Sequence, residues 1–568
     1  MEQIFIYLAI ILAVAFIISY LVRFFKQPIL IGYIIAGMIV SPFILDAVKS
    51  NETINIFSEL GIAFLLFVVG LHLNPRVIKQ MGFKSIVLAA VQMALTFVAG
   101  FLFSFYILDY TALVSSFIGI AIMFSSTIIV VKLILDKKQI DSLYSKIAIA
   151  ILILQDVVAV LVLIFISSSA IETNYLGSSL LLQAVYGFGL LVVLGLFGWL
   201  VVPRITKKVA DSQELLFLFA ILWCFVCGAL FAYFGFSIEI GALLAGILIS
   251  ASPYSVEISS RIKPLRDFFL IIFFIILGLN MPITNVGNIA LESILLSIVV
   301  LIIKPLIVII TMSFLGYTRM TNLMTGVSLA QISEFSIIIL ILANQFNLID
   351  ARFIQVIAFT LIITTIFSTY MIMYSDWIYS KLSFFLKKIE RKDVKLEKKI
   401  KSNYDVILFG YNRIGFNILR SLKDLNKKYL VVDFNPEVIA SLKKHNIPCV
   451  YGDAYDVDLL EDLPLETTQL VISTIPGFQT NKLLIQKVKQ YNPNAIIIVR
   501  SHHMEGALEL YKAGANYVLT PHFLGGEYVA KMILNEKFNQ SGYEKERKDH
   551  IEKLKERIRD GEEYPGSD

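Results

Sequence analysis

Gln155 and Asp156 are the only polar residues between positions 147 and 166, where the chain reads IAIAILILQDVVAVLVLIFI. An apolar run of this length is a candidate membrane-spanning helix. A carboxylate near the middle of such a helix costs at least about 3 kcal/mol to keep there, so it is expected to serve an ion or proton path. Three further charges lie in apolar runs: Lys304 in LSIVVLIIKPLIVII, Glu334 in SLAQISEFSIIIL and Glu239 in FGFSIEIGALLAG. A lysine at that depth needs a carboxylate partner or a wet cavity. The alternative for Lys304 and Glu239 is a helix end from which the side chain reaches the interface. Two runs also carry polar interruptions: FSSTIIVV, with Ser125, Ser126 and Thr127, and SLAQISEFS, with Gln331, Ser333 and Glu334. Such clusters can re-satisfy unwound backbone inside a membrane protein, or can simply pack helices together.

The elements that must position these groups follow from composition. Hydrophobic residues make up 57% of the chain, and its mean hydropathy is +0.76; a soluble protein is excluded. The apolar content fills residues 1–380, a charged linker occupies 381–403, and an ordinary soluble α/β pattern follows. Cutting the apolar part at ~20 residues per span gives about thirteen helices. They start near Ile4, Pro28, Ile54, Ser85, Ala112, Ile147, Ser178, Leu215, Phe236, Phe268, Leu291, Asn322 and Phe353. Alternate loops then share a side. One set holds Arg23, Lys26, Arg76, Lys79, Lys84, Lys132, Lys137, Lys138, Lys146, Arg204, Lys207, Lys208, Arg261, Lys263, Arg266 and Arg319, while the other has little beyond Lys49 and Arg352. The positive-inside rule places the first set in the cytoplasm, the N-terminus outside and the C-terminal domain inside. The net charge of +5 is thus a topology signal, and no nucleic-acid partner is expected. Spans one to six and eight to thirteen would form inverted repeats, with two broken helices, the fifth and twelfth, crossing in the middle. Ser125, Ser126 and Thr127 would then face Gln331, Ser333 and Glu334. Cys224 and Cys227 form a CxxC inside an apolar span and read as small buried residues; no structural metal is expected. The first residues, MEQIFIYLAI, lack a basic start and a cleavage site, so no cleaved signal peptide is expected.

The segments QPILIGYIIAGMIVSP from Gln27, ELGIAFLLFVVGLHLNP from Glu59, FSSTIIVVKLIL from Phe124, LQDVVAV from Leu154, FFIILGLNM from Phe273 and QISEFS from Gln331 carry a family resemblance. In order and spacing the membrane half resembles the monovalent cation:proton antiporter 2 family, in particular its Kef-type potassium efflux members. The resemblance implies secondary active exchange of potassium, alternatively sodium, for protons by a homodimer in the plasma (inner) membrane, and no enzyme activity. It implies that Asp156 binds either a cation or a proton, that Gln155 belongs to the same ion site, and that Lys304 pairs with Asp156 in one state. Ser125, Ser126, Thr127, Ser333 and Glu334 would line the crossing. A nucleotide-gated potassium channel is the reading from another class, and it lacks a TVGYG-type filter. Glutathione-gated members carry an acidic central loop; the stretch here, YSVEISSRIKPLRD, keeps only Glu257, and a GLEL-like element reads GLHL with His72.

From Tyr404 the chain reads YDVILFGYNRIGFNILRSL, then YLVVDFNPE, CVYGDA, LVISTI and AIIIVR. Strand, glycine turn and helix in that order are the context of a dinucleotide fingerprint, and an acid in the position of Asp433 is placed to bind ribose hydroxyls. The middle glycine of the fingerprint is replaced by Asn412, which leaves a mononucleotide such as AMP, or a weakly bound NAD(H). The segment resembles RCK/KTN nucleotide-sensing domains, here spanning 404–534. That resemblance implies a phosphate turn of Gly410, Asn412, Arg413, Ile414 and Gly415, ribose contact by Asp433, and Asp453 near the base. Thr474 and Arg500 would line the cleft, and the adenine nucleotide would be regulatory, not catalytic. Residues 535–568 are rich in Lys, Glu and Arg and read as a solvated helical tail.

Overall fold

The computed structural model describes the chain apart from residues 1, 42–51, 73–81, 141, 170–193, 199, 210, 235–237, 251, 253, 281–285, 390–402, 412–413, 426 and 560–568. It divides into two compact units, Met1–Lys395 and Leu396–Asp568.

Unit one is entirely helical among its described residues. Helices lie at the expected positions of spans one to six and eight to thirteen; the span expected near Ser178 falls mostly outside the described residues. Seven of the described helices are long and apolar enough to cross a membrane, and four shorter apolar ones accompany them. Both expected breaks are present. The fifth span is Ala112–Met123 followed by Thr127–Asp136, and the twelfth is Arg319–Ser328 followed by Glu334–Gln345. Packing repeats between the halves. Helix Glu2–Phe24 lies on Ile29–Val40, as Gln213–Tyr233 lies on Ile238–Ser250. Ile29–Val40 packs on Ser255–Leu279, as Ile238–Ser250 packs on Glu52–His72. These pairs are those an inverted repeat would make.

One boundary differs from expectation. The tenth span begins at Ser255, not near Phe268. Its first turns carry Glu257, Arg261, Lys263, Arg266 and Asp267, with Pro264 inside the helix. Counting apolar residues cannot see helical turns that carry charge. Past the thirteenth span, helix Ser375–Ile389 crosses the sequence boundary drawn at 380. Lys137, at the end of the fifth span, holds its start: Nζ donates to Ile372 O (3.2 Å), Ser375 Oγ (2.7 Å) and Asp376 Oδ2 (3.1 Å).

Close packing in this unit uses glycine where helices touch backbone to backbone. A Cβ at Gly246 would stand 3.0 Å from the Cα of Gly70 and would overlap the carbonyl oxygen of Phe67. Small residues at such contacts are the ordinary means of helix association in lipid.

Unit two contains six parallel strands in the order β3-β2-β1-β4-β5-β6, with β1 Val406–Phe409, β2 Tyr429–Asp433, β3 Cys449–Tyr451, β4 Leu470–Ser473, β5 Ile496–Arg500 and β6 Tyr517–Leu519. The first five match the strand-like runs; β6 is short and was not distinguished in the sequence. Helices connect consecutive strands, the doubly wound pattern. Buried Ile407, Phe409, Val432, Val471 and Ile497 form part of one core face, and Val406, Leu408, Val431 and Ile472 part of the other. Strands apolar on both faces are what a covered parallel sheet requires. In the tail, helix Gln540–Arg559 is mostly exposed.

Gly246→Val tests the glycine contact. Overpacking of this kind costs about 1–3 kcal/mol or more, so the variant is expected to melt several degrees lower in detergent, whereas Gly195→Val, where a Cβ meets nothing within 4 Å among the described residues, should melt as the parent does.

Candidate functional site

Two unwound segments, at 124–126 and 329–333, lie side by side in the interior. Unwinding frees backbone donors and acceptors that no lipid can satisfy. Side chains meet that need on both sides. Ser126 Oγ accepts from Ile129 N (3.4 Å) and Ser333 Oγ from Phe335 N (3.2 Å), capping the half-helices that start there. Ser125 Oγ donates to Leu329 O (3.1 Å), and Gln331 Nε2 donates to Ser126 O (3.3 Å). Ser368 Oγ holds Gln331 through its Oε1 (2.7 Å), and Ser336 Oγ donates to Ala121 O (2.5 Å). The two polar interruptions therefore do meet, as their register in the halves implied.

Lys304 is fully buried at this crossing. Its Nζ donates to Ile122 O (3.1 Å), Phe124 O (2.8 Å) and Gln331 O (2.9 Å). An ammonium has three N–H donors, so all are taken and none remains for Asp156 in this conformation. The alternative of a snorkelling helix end fails for this residue, and in this conformation its partners are three backbone carbonyls. A π-helical turn, Val299–Ile303, precedes it. Pro305, which lacks an N–H, follows, and irregular turns of this kind often mark functional positions.

Asp156 lies on helix Leu143–Ser169 and is half-buried. Thr127 Oγ1, in the first turn after the break, donates to its Oδ2 at 3.0 Å. Glu334, buried at the start of the other inner half-helix, stands close enough for its carboxylate to act on that of Asp156. Arg266 in turn lies within electrostatic reach of Glu334 and is paired with Asp267 at 2.6 Å.

Gln155 is adjacent in sequence but does different work. Its Oε1 accepts from Ser125 N (2.9 Å), and its Nε2 donates to Gln92 Oε1 (2.7 Å) and Met123 O (3.4 Å). In this conformation the carboxamide bonds to the broken backbone and to Gln92. Gln92 was missed in the sequence. Its signal was a lone amide within SIVLAAVQMALTFVAG, a pattern too common among packed helices to single out.

Glu239 is in the first turn of helix Ile238–Ser250, half-buried, and lines a small crevice with Gln345, Leu163 and Leu66, away from the crossing. Cys224 and Cys227 are buried free thiols. No group of three metal-ligating side chains occurs among the described residues. The side chain of His72 lies outside the described residues.

In unit two the strand order reverses between β1 and β4, the place where such sheets bind ligands. Gly410 follows β1 with φ +85°, and a Cβ there would stand 2.5 Å from Thr474 Oγ1. A Cβ on Gly415 would overlap Gly410 O. These are the tight-turn and close-packing glycines of the fingerprint. Asn412 and Arg413 lie outside the described residues; Ile414 begins helix Ile414–Asp424. Asp433 closes β2, accepting from Tyr411 N (2.8 Å) and Asn435 N (2.8 Å). Thr474 Oγ1 donates to Gly410 O (3.0 Å), and Arg500 Nη1 to Thr474 O (3.3 Å). Asp453 accepts from Tyr455 N (2.9 Å). Gly410, Thr474, Arg500 and Asp433 are thus linked around one turn, and Asp453 lies just beyond β3, next to β2. Burial pushes the Cys449 thiol up, against Lys443, which lowers it; it is not an activated nucleophile.

Two crossed broken helices with an intramembrane acid, joined to a doubly wound soluble domain, define an ion-coupled membrane exchanger with an attached Rossmann-like module. The chain belongs to the family described as sodium/hydrogen exchanger, transmembrane, which matches residues 11–373. Residues 406–521 match the TrkA-N domain. The glutathione-regulated potassium-efflux system protein KefC of Klebsiella pneumoniae is 27% identical over 508 residues, covering 88% of this chain and 80% of that protein. KefC of Escherichia coli K12 is 27% identical over 512 residues, 89% and 80% respectively. Among solved structures, the sodium proton antiporter MjNhaP1 of Methanocaldococcus jannaschii is 18% identical with a TM-score of 0.45, covering 66% of this chain and 98% of that one. The TrkA-N domain of the inner membrane protein ybaL of Escherichia coli is 20% identical with a TM-score of 0.23, covering 24% and 99%.

Lys304→Met removes the donors of three buried carbonyls. Each stranded acceptor costs about 1–3 kcal/mol, so the purified variant is expected to unfold well below the parent in a thermal melt; an unchanged melting temperature would show that the ammonium does not hold the crossing together.

Proposed function

We propose that the chain exchanges potassium for protons across the plasma (inner) membrane, with Asp156 as the shared site. The observation that carries this reading is the Asp156–Thr127 pair beside the unwound crossing. A single carboxylate can neutralise one proton or one dehydrated cation, not both at full strength, so each guest displaces the other and exchange is obligatory. Thr127 supplies a hydroxyl whose lone pairs can turn to a cation when the carboxylate loses its proton. Glu334 raises the local negative potential and makes an empty, doubly ionised site costly. Lys304 holds the scaffold of the crossing through its three carbonyl partners. Potassium is preferred over sodium on the relatives named as potassium-efflux proteins. The N-terminus is outside and the TrkA-N domain cytoplasmic, on the loop charges, and the working unit is a homodimer.

The soluble domain regulates exchange by binding an adenine nucleotide, AMP or NAD(H). The glycine turn of Gly410 and Gly415, with Asp433 beside it, supports this, and we assign Asn412, Arg413, Ile414, Asp453, Thr474 and Arg500 to the same nucleotide site. Asp433 already accepts two backbone N–H bonds, which orient its carboxylate for a ribose.

Reconstituted in liposomes, the parent should show cation-dependent proton flux, larger with potassium than with sodium, and Asp156→Asn should abolish it; full-rate exchange by that variant would remove Asp156 from the site. Asp433→Ala should weaken AMP or NADH binding by about tenfold or more in calorimetry, since hydrogen bonds to charged groups contribute about 1.5–3 kcal/mol; equal affinity would place the nucleotide elsewhere.

A further inference from the structure

We infer that Gln92 is a positioning residue for exchange: it sets which end of the Gln155 carboxamide meets the helix break, and so where Thr127 stands against Asp156. The inference rests on the reading of Asp156 and Thr127 as the exchange site. Gln92 lies on helix Gly82–Tyr106 and is fully buried. Its Nε2 donates to Thr96 Oγ1, one turn on, at 3.1 Å and to Met123 O at 3.4 Å. Those two bonds leave its Oε1 facing Gln155, from whose Nε2 it accepts at 2.7 Å. Gln155 is then bound to present Oε1 to Ser125 N, at 2.9 Å.

The two ends of a carboxamide are a donor and an acceptor, so the chain of bonds has a direction. Reversing Gln155 would set NH2 against the Ser125 N–H and oxygen against the Gln92 oxygen. Reversing Gln92 would set NH2 against NH2 and its oxygen against Met123 O. Both misfits would be buried, where an unmade hydrogen bond costs about 1–3 kcal/mol.

Met123 ends the first half-helix, and Ser125 lies in the unwound segment. Thr127 follows two residues later and donates to Asp156, the neighbour of Gln155. The break is thus pinned to the acid's helix at two adjacent points. The Thr127–Asp156 point must open or rearrange whenever a cation enters. The Ser125–Gln155 point need not, and Gln92 is the side chain that orients it. Loss of the Gln92 amide should therefore loosen Thr127 and weaken cation binding, while the acid itself is untouched.

The test measures potassium-driven proton flux by the full-length protein in liposomes. Gln92→Met, which keeps the volume and removes the amide, is expected to raise the KM for potassium about tenfold, the effect of losing about 1.4 kcal/mol, with the maximal rate within about twofold of the parent. Gln92→Met combined with Gln155→Met should be no worse than Gln155→Met alone, because one residue acts through the other. Thr96→Val removes only the far anchor, should raise KM less than Gln92→Met, and carries the test if Gln92→Met does not fold. An unchanged KM with a lowered maximal rate, or effects that multiply in the double variant, would overturn the inference. Asp156→Asn in the same series separates the cases: flux surviving there defeats the exchange-site reading, whereas flux lost there with KM unmoved in Gln92→Met defeats only the role of Gln92.

Discussion

Unwound backbone in an apolar interior must find all its hydrogen-bond partners within the protein, and this constraint organises the membrane unit. Two helices are interrupted at the same place, and most of the polar side chains around the breaks answer the groups thereby freed. Lys304 gathers three carbonyls. Gln155 takes one amide N–H and, with Gln92, shares one carbonyl. Ser125, Gln331 and Ser336 bond across from one break to the other. The half-helices then present their ends to the crossing, where partial charges of both signs meet.

That arrangement decides which groups are left to do chemistry. In this conformation Lys304 and Gln155 bond to the freed backbone, while Asp156 accepts from the Thr127 hydroxyl and has a second carboxylate, that of Glu334, nearby. The same division recurs in the soluble unit. There Asp433 is oriented by two backbone amides, and Gly410 and Gly415 allow close approach of backbone.

Much of this was legible in the residues. Asp156 announced itself by isolation, and the Ser/Thr runs at 125–127 and 331–334 announced the breaks, because apolar helices rarely carry adjacent hydroxyls and amides without backbone to serve. The strand–glycine–helix order after Tyr404 gave the Rossmann-like sheet, apart from the short β6. Other features had no local signature. The partners of Lys304 are backbone carbonyls, which every sequence has everywhere; a carboxylate was the only partner the side-chain inventory could offer. The direction of the Gln155 amide depends on Gln92, 63 positions away. The charged start of helix Ser255–Leu279 was hidden because hydropathy marks where lipid is, not where helix is. Gly70 and Gly246 look like any other glycines until the two helices are laid together.

The lysine cage also has an order of assembly written into it. Ile122 and Phe124 are synthesised some 180 residues before Lys304 (separations of 182 and 180), and Gln331 only 27 after it. As the nascent chain enters the bilayer, the first break must wait, with its carbonyls served by water or by the insertion machinery, until the eleventh span arrives. The lysine in turn arrives before its third acceptor exists. The amino-terminal half on its own is therefore an incomplete folding unit, and a ribosome stalled before the twelfth span would leave a polar wound in the membrane that quality-control proteases can recognise.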